Sequence, residues 1–281
     1  MKHFVLLILV LFLLGSSKAQ LLWEISGNGL TTKSYLYGTI HVMPKEKFSI
    51  SPKIQNAFQY TSVLALEVKL KMSLIKQLKI VKKSYLPRGK TLKNYLSEND
   101  FLRLKSYCID SIKITETKFN KYIHLKPFFF SSLISQEQMG EISSYEIELD
   151  KMAKSQRKRR MGLESIEYQL ETINTMSIED QVKMMMDEID VNSSTQFNDL
   201  LTLYLKEDLN GLYKAVTSES NGIPDFNQNF LVKRNTNWIP IIEKQISKKA
   251  TFIAVGAAHL PGENGVIELL RGNGFTVNPV K

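Results

Sequence analysis

The sequence predicts an α/β fold: a sheet built from strand–Gly-x-x-His–helix–strand units at both ends of the chain, with a large central helical insertion. Residues 35–44 and 252–261 share one pattern, in which an apolar run typical of a buried strand precedes Gly-x-x-His and then a proline. Each segment is followed by helix-like and strand-like stretches, and such alternation is typical of α/β sheets. Residues 72–233 have mostly helical periodicity.

The first nineteen residues have the three regions of a secretory signal peptide. Lys2 is positive, residues 4–14 are uninterrupted apolar, and Ser17 and Ala19 are the small residues that a signal peptidase prefers. The apolar run is shorter than the roughly 20 residues that cross a bilayer. We therefore expect a signal peptide over residues 1–19, a single domain over 20–281, a secreted or periplasmic location, and no stable membrane span after cleavage.

The charge distribution does not predict a nucleic-acid-binding protein, and the cysteine content excludes an internal disulfide. The formal net charge is +9, and the positive charge is interpreted as too evenly spread to identify a partner. The basic run at residues 157–160 is typical of a solvated helix end. Without interleaved aromatic residues it does not predict a nucleic-acid partner. The single cysteine, Cys108, cannot form an internal disulfide, so stability must come from the core.

The N-terminal elements follow from short local patterns. Strand-like runs at residues 22–25 and 34–37 flank Gly27-Asn28-Gly29, which predicts a hairpin. Pro52 suits the first turn of a helix over residues 53–59. Residues 63–66 are a short apolar run typical of a strand buried on both faces, and the run ends at Glu67.

The middle of the chain is predicted to be helical, with a short extended piece near residues 160–163. Helices are expected over residues 73–83, 97–110, 128–153, 177–190, 194–205 and 211–220. The many methionines, including residues 184–186, are typical of adaptable core filler rather than a metal site. The closing residues predict an amphipathic stretch over 234–246, a strand over 251–255, a helix over 265–270 and a final strand over 275–277.

Three polar residues follow or end predicted strands: His41, Glu67 and His259. Ligands of open α/β sheets gather at the carboxyl ends of strands, so these side chains are expected near a common point. Two imidazoles and a carboxylate can hold a metal ion and leave positions open for water and substrate. The alternative is structural histidines bonded to backbone, but two matching Gly-x-x-His motifs beside an acidic strand end favour the shared site. His124 lacks the preceding glycine and is expected to be an ordinary surface or partly buried residue.

These motifs resemble the TraB/GumN family, which includes the Tiki proteases. The resemblance is carried by residues 37–41, 66–67, 162–169, 234–235 and 255–262. It implies a divalent-metal-dependent, protease-like activity of the Tiki type. It also implies that His41, His259 and Glu67 are metal and catalytic residues and that Arg234 is a site arginine. Many GumN-like members have no assigned substrate.

Two further residues are candidates on their own chemistry. Arg234 could bind a substrate carboxylate or a developing oxyanion, or could form an ion pair with an acid of the middle region. Glu164 follows a glycine and an apolar residue and could be a second site carboxylate or a helix cap. Asp150 and Gln169 are expected to be supporting residues.

The resulting hypothesis is a metal-dependent hydrolase that cleaves peptide bonds with Mn, Co, Zn or Fe, acting on a peptide or protein. The catalytic candidates are Glu67, Arg234 and Glu164, and Glu67 is either a metal ligand or the general base. The alternative is a binding protein that holds haem, a metal or an anionic ligand in the same cleft without turnover. A third possibility is a regulatory scaffold without activity.

Overall fold

The structure is a computed structural model that describes residues 20–190, 193–219 and 223–280. The predicted signal peptide lies outside the described residues. The α/β class is confirmed: helices surround a six-stranded mixed sheet, and a separate two-stranded ribbon lies beside it. None of the helices within the described ranges combines the length and apolar character needed to cross a membrane.

Eight strands form the two sheets. They are β1 (Leu22–Gly27), β2 (Ser34–Thr39), β3 (Met43–Pro44), β4 (Val63–Val68), β5 (Ile142–Ser143), β6 (Arg159–Glu164), β7 (Thr251–Gly256) and β8 (Phe275–Pro279). The large sheet has the order β6-β4-β7-β2-β1-β8, and β3 pairs with β5. Strands β6, β4, β7 and β2 are parallel to one another, whereas β1 is antiparallel to both of its neighbours.

The described α-helices lie mostly between β4 and β7. They are α1 (Pro52–Gln59), α2 (Leu74–Ser84), α3 (Glu98–Ser106), α4 (Glu116–Tyr122), α5 (Pro127–Met139), α6 (Tyr145–Ser155), α7 (Ile166–Ile173), α8 (Ile178–Asp190), α9 (Ser193–Leu205), α10 (Leu209–Glu219), α11 (Lys233–Ile246) and α12 (Val266–Gly272). One π-helical turn, Tyr107–Ser111, continues α3, and another, Gln228–Val232, precedes α11.

Most predicted elements form where the sequence places them. The β1–β2 hairpin turns through Gly27, Asn28 and Gly29, all at positive φ, and Pro52 is the first residue of α1. The helix predicted over residues 128–153 is wrong as one element. Gly140 has a φ of 72° that ends α5, and β5 intervenes before α6 because its backbone pairs with β3. The middle of the chain also contributes β6 to one edge of the sheet.

The described residues form one core around the sheet and two smaller clusters among the helices, the last of them around Leu170 and Ile173 of α7. The first is built on the central strands, where β2 and most of β4 and β7 are buried. The second contains Phe119, Phe130, Met185 and Cys108. Met185 is buried as core filler, and burial raises the pKa of the Cys108 thiol to about 12. Cys108 is therefore an inert core residue, as expected.

The sheet register determines where the polar residues meet. In β2 and β7, Thr39 lies opposite Gly256, and in β4 and β7, Leu66 lies opposite Ala254. These three parallel strands therefore end at the same edge of the sheet. The two Gly-x-x-His segments leave the sheet side by side, next to the end of β4.

Candidate metal centre

The predicted residues His41, Glu67 and His259 converge at the carboxyl ends of β2, β4 and β7. Glu67 lies within the end of β4, and His259 closes a 3-10 turn that follows β7. A side-chain carbon placed on Gly256 would lie 3.3 Å from Glu67 Oε1, 3.5 Å from His259 Cδ2 and 3.6 Å from His41 Nε2. The missing side chain of Gly256 therefore leaves a gap that all three residues border, which we call the Gly256 gap.

Glu67 is buried and both of its oxygens accept hydrogen bonds. Oε1 accepts from the backbone N–H of Gly256 at 2.7 Å, and Oε2 accepts from Arg234 at 2.6 Å and from Gln169 at 3.2 Å. Burial alone would raise the pKa of Glu67. The charges of His259, His41 and Arg234, together with the Gly256 N–H, instead lower it to about 2. Gln169 thus supports the site by orienting Glu67.

His259 is buried and its tautomer is fixed by Asn235. The Asn235 amide donates through Nδ2 to the backbone oxygens of His259 and Asn264, so its Oδ1 accepts from His259 Nδ1 at 2.6 Å. The lone pair of His259 is therefore on Nε2, which lies 3.9 Å from Glu67 Oε1. Burial lowers the pKa of His259 to about 3, so the imidazole is neutral near pH 7.

His41 forms the solvent-facing side of the site, with 64% of its side chain exposed. Its Nδ1 lies 3.0 Å from Glu146 Oε1, and this carboxylate is itself held by the hydroxyls of Thr39 and Ser144. Desolvation lowers the pKa of His41, but the hydrogen bond with Glu146 and the charge of Glu67 outweigh it and raise the pKa above 6.5.

Arg234, at the start of α11, uses all its N–H groups within the protein. It donates to Glu67, to both oxygens of Glu164, to the backbone oxygen of Phe230 and, at 3.2 Å, to His259 Nε2. The pair with Glu164 is the ion pair with a middle-region acid that the sequence left open as one alternative. No N–H of this guanidinium is left to bind a substrate carboxylate in this arrangement.

Glu164 ends β6 and lies behind Arg234, away from the Gly256 gap. Besides Arg234, it accepts a hydrogen bond from Trp238 Nε1 at 3.0 Å. Burial raises its pKa, although the bonds from Arg234 and Trp238 oppose that shift. Glu164 therefore positions Arg234, which in turn holds Glu67.

The charges and donors of the site suit a cation. Three carboxylates, Glu67, Glu146 and Glu164, outnumber the one guanidinium, that of Arg234. Both histidines have Nδ1 bonded to an oxygen, an arrangement common among metal-binding histidines. His259 Nε2 lies 3.9 Å from Glu67 Oε1, and His41 Nε2 borders the Gly256 gap. Across the described ranges, however, no three His, Cys, Asp or Glu side chains are close enough together to hold an ion. A closed set of ligands requires Arg234 to release His259 Nε2.

Two of the residues considered from sequence lie outside the site. His124 is exposed, next to the isolated bridge between Tyr85 and Leu125. Asp150 forms an ion pair with Arg160 at 2.8 Å.

Sequence reasoning missed Glu146 and gave Asn235 no role. Glu146 lies at the start of α6, 105 positions from His41, without a strand-end pattern to reveal it. Of these two residues, only Asn235 could have been found from the sequence, because it follows Arg234 within a motif that resembles the family.

A cavity of about 500 Å³ lies among α5, α8 and α9 and extends to Pro44, three positions after His41. Three residues of extended chain span at most about 11 Å, so the backbone of His41 is within that distance of Pro44. The cavity lining is mainly apolar by area, with Phe128, Phe197 and Met184 among its residues.

Comparison with known proteins identifies the family. No curated protein and no solved structure matches the chain. The model of the TraB/PrgY/gumN family matches residues 21–279, which is nearly the whole chain and includes both Gly-x-x-His motifs. The chain therefore belongs to the TraB/PrgY/gumN family.

Proposed function

We propose that this protein is an exported metal-dependent hydrolase that cleaves peptide bonds, and that His41, Glu67 and His259 hold the ion. The observation that carries the proposal is the Gly256 gap, which is bordered by Glu67 Oε1 and His41 Nε2 and by the ring of His259. When bound, a divalent ion supplies a water of lowered pKa and polarises a carbonyl, which are the two needs of amide hydrolysis.

The side chains around the gap have distinct tasks in this proposal. Asn235 holds His259 in the tautomer whose lone pair is on Nε2, and Glu146 is bonded to Nδ1 of His41, which leaves Nε2 as the ring nitrogen that would bind the ion. The hydrogen bonds to Glu67 keep it ionised and fix its direction. A carboxylate with such a low pKa is a poor proton acceptor near neutral pH, which favours the ligand role of Glu67 over the general-base role.

The substrate approaches from the side of His41, since His259 and Glu67 are buried whereas His41 is exposed. The apolar cavity beside Pro44 suits a peptide with a large apolar side chain near the bond that is cleaved. The resemblance to Tiki proteases and the signal-like N-terminus support a peptide or protein substrate outside the cytoplasm.

A non-catalytic haem or metal-binding protein is the second candidate. One contact favours this second candidate. Arg234 Nη1 donates a hydrogen bond to His259 Nε2, so His41 is the more accessible of the two histidines to a ligand. An anionic ligand is disfavoured, because it would face three carboxylates and an arginine whose N–H groups are already bonded.

Elemental analysis of protein purified without a metal-binding tag tests the proposal, combined with cleavage of a peptide library with and without chelator. We expect stoichiometric metal, with cleavage that chelator abolishes and added metal restores. His41→Ala and His259→Ala should both lose the metal, while His124→Ala, a change at an exposed histidine outside the site, should keep it. Stoichiometric metal in all three variants would refute the shared site. A haem absorption band or bound metal without cleavage would establish the binding protein instead.

A further inference from the structure

Helix α2 presents its apolar side chains to solvent. Leu74, Ile75, Leu78 and Val81 are 76%, 68%, 68% and 52% exposed. At 3.6 residues per turn, Leu74, Leu78 and Val81 lie within about 60° of the helix circumference, and Ile75 lies a further 60° around and widens the apolar surface to about 120°. No side chain of α2, which is described throughout, is buried. We call these four residues the α2 stripe.

The opposite side of α2 attaches it to the protein. Lys76 and Lys83 pair with Glu167 and Glu171 of α7 at 3.5 and 3.6 Å, and Ile80 packs against the nearby apolar cluster. A surface helix ordinarily turns its apolar face inward and its charged face to water. The orientation of α2 is inverted, so the α2 stripe is an apolar surface without a covering element among the described residues.

Other exposed apolar residues do not form such a stripe. Leu102, Ile147 and Leu205 are each the single strongly exposed large apolar residue of a different helix, and isolated residues of this kind are normal on protein surfaces. Four on one short helix form a contiguous patch, which marks an interaction site.

The positive charge of the chain is concentrated around α2. Residues 68–97 contain nine lysines and arginines and no acidic residue, so this segment alone carries +9, the net charge of the whole chain. The interpretation of evenly spread charge is therefore wrong. That interpretation considered the net charge of the whole chain and overlooked residues 68–97, which contain no acidic residue.

A basic cleft adjoins the C-terminal end of α2. It has a volume of about 690 Å³ and is lined by Lys82, Lys83, Arg88, Lys90, His124 and Lys126, without an acidic residue among the described lining. The cleft and the α2 stripe are adjacent, because Lys82 of the cleft directly follows Val81 of the stripe and lies on the same side of α2 as Ile75. The cleft offers an anionic group several cations at once.

We propose that the α2 stripe and the basic cleft together form a docking surface for an anionic phospholipid bilayer. The helix lies in the plane of the interface, with the stripe among the acyl chains and the flanking lysines extended to the headgroups. The charge argues against a second copy as the occupant, since two copies would bring the same basic segments together. Docking of this kind is peripheral and independent of the proposed hydrolysis.

A local reporter tests insertion in the full-length protein. The Gln77→Cys variant carries an environment-sensitive fluorophore on the exposed flank of α2, and Ser247→Cys carries it at an exposed position directly after α11. The native Cys108 is buried and does not react. With vesicles of phosphatidylcholine containing phosphatidylglycerol, we expect a blue shift at position 77 and none at 247. Vesicles of phosphatidylcholine alone should give at least a tenfold weaker response at position 77.

Matched substitutions then separate the stripe from general surface effects. Leu74→Asn/Leu78→Asn/Val81→Asn should weaken vesicle binding at least tenfold while the melting temperature stays the same, because these side chains make few internal contacts. The control variant replaces three exposed apolar residues elsewhere with asparagine: Leu102→Asn/Ile147→Asn/Leu205→Asn. It should bind vesicles as tightly as the unmodified protein does.

The basic cleft is tested by neutralisation. Lys82→Gln/Arg88→Gln/Lys90→Gln should weaken binding on the order of a hundredfold, at about fivefold for each cation near the surface. The control neutralises three exposed lysines elsewhere, Lys206→Gln/Lys248→Gln/Lys249→Gln. An absent shift at position 77 with anionic vesicles would overturn the proposal. So would equal losses in the test and control variants, or dimerisation through α2 in place of vesicle binding.

Discussion

Replacing Gly256 with alanine tests the candidate metal centre without removing a donor atom. The backbone at this position has φ −52° and ψ 135°, which alanine adopts freely. The added methyl carbon would lie 3.3 Å from Glu67 Oε1 and 3.6 Å from His41 Nε2. It therefore enters the Gly256 gap while the hydrogen bond from the Gly256 N–H to Glu67 is kept.

The expected effects on folding and on metal binding differ. Alanine restricts the unfolded chain and thereby contributes about 0.4–1 kcal/mol, which offsets the close contact with the carboxylate, so the free energy of unfolding should change by less than about 1 kcal/mol. The methyl group occupies space that the ion needs. We expect metal affinity to fall about 10- to 100-fold, as for changes to groups around metal ligands.

Urea unfolding and metal titration measure the two quantities on the same preparation. Gly272→Ala is the matched control, because a side-chain carbon at Gly272 meets no atom within 4 Å. It should leave metal affinity unchanged and raise the free energy of unfolding by about 0.4–1 kcal/mol, the effect of alanine on the unfolded chain alone. Unaltered metal affinity in a folded Gly256→Ala variant would show that the ion does not sit in the Gly256 gap.

Three further predictions concern the groups that hold the site together. Because the unfolded imidazole of His259 takes up a proton below about pH 6.5 and the folded one only near 3, stability of the metal-free protein should fall by about 1.4 kcal/mol per pH unit as pH decreases through that window. His259→Gln should flatten this slope in urea unfolding at a series of pH values, and an unchanged slope would contradict a neutral buried His259. Asn235→Ala leaves buried groups without partners and should cost about 1–3 kcal/mol in chemical denaturation, whereas the exposed Asn237→Ala should have little effect; equal effects would argue against the buried network. Arg234→Met leaves Glu164 without its cation and should destabilise the protein by about 3–5 kcal/mol in thermal melts, and a loss below about 1 kcal/mol would mean that the ion pair is not needed.

The placement of the site followed from sequence because it depends on the ends of buried strands. Short apolar runs before His41, Glu67 and His259 predicted strands, and ligands of open α/β sheets gather at the carboxyl ends of strands. The structure adds that these three strands are parallel, so they end at one edge of the sheet. The glycines of both motifs allow backbone and neighbouring groups to approach closely. Gly38 lies against the backbone of Ala257, where a side-chain carbon would be 3.1 Å away, and Gly256 brings its N–H to Glu67.

The remaining features depend on contacts that local patterns do not encode. Glu146 reaches His41 from the start of α6, and its own segment is amphipathic like any surface helix. The break at Gly140 follows from the pairing of β3 with β5, two residues each, which is too short to leave a periodic signal. The inverted orientation of α2 was hidden for a related reason. Its periodicity predicts an amphipathic helix but not which face meets the protein.

The pairing of β2 with β7 joins residues that are more than two hundred positions apart. One site histidine follows each of these strands. A nascent chain or a fragment that ends before β7 therefore contains His41 but lacks His259. Formation of such distant pairs is slow compared with local helix formation. Any chemistry that needs the complete set of donors therefore begins only after β7 and His259 have been synthesised and β7 has docked beside β2.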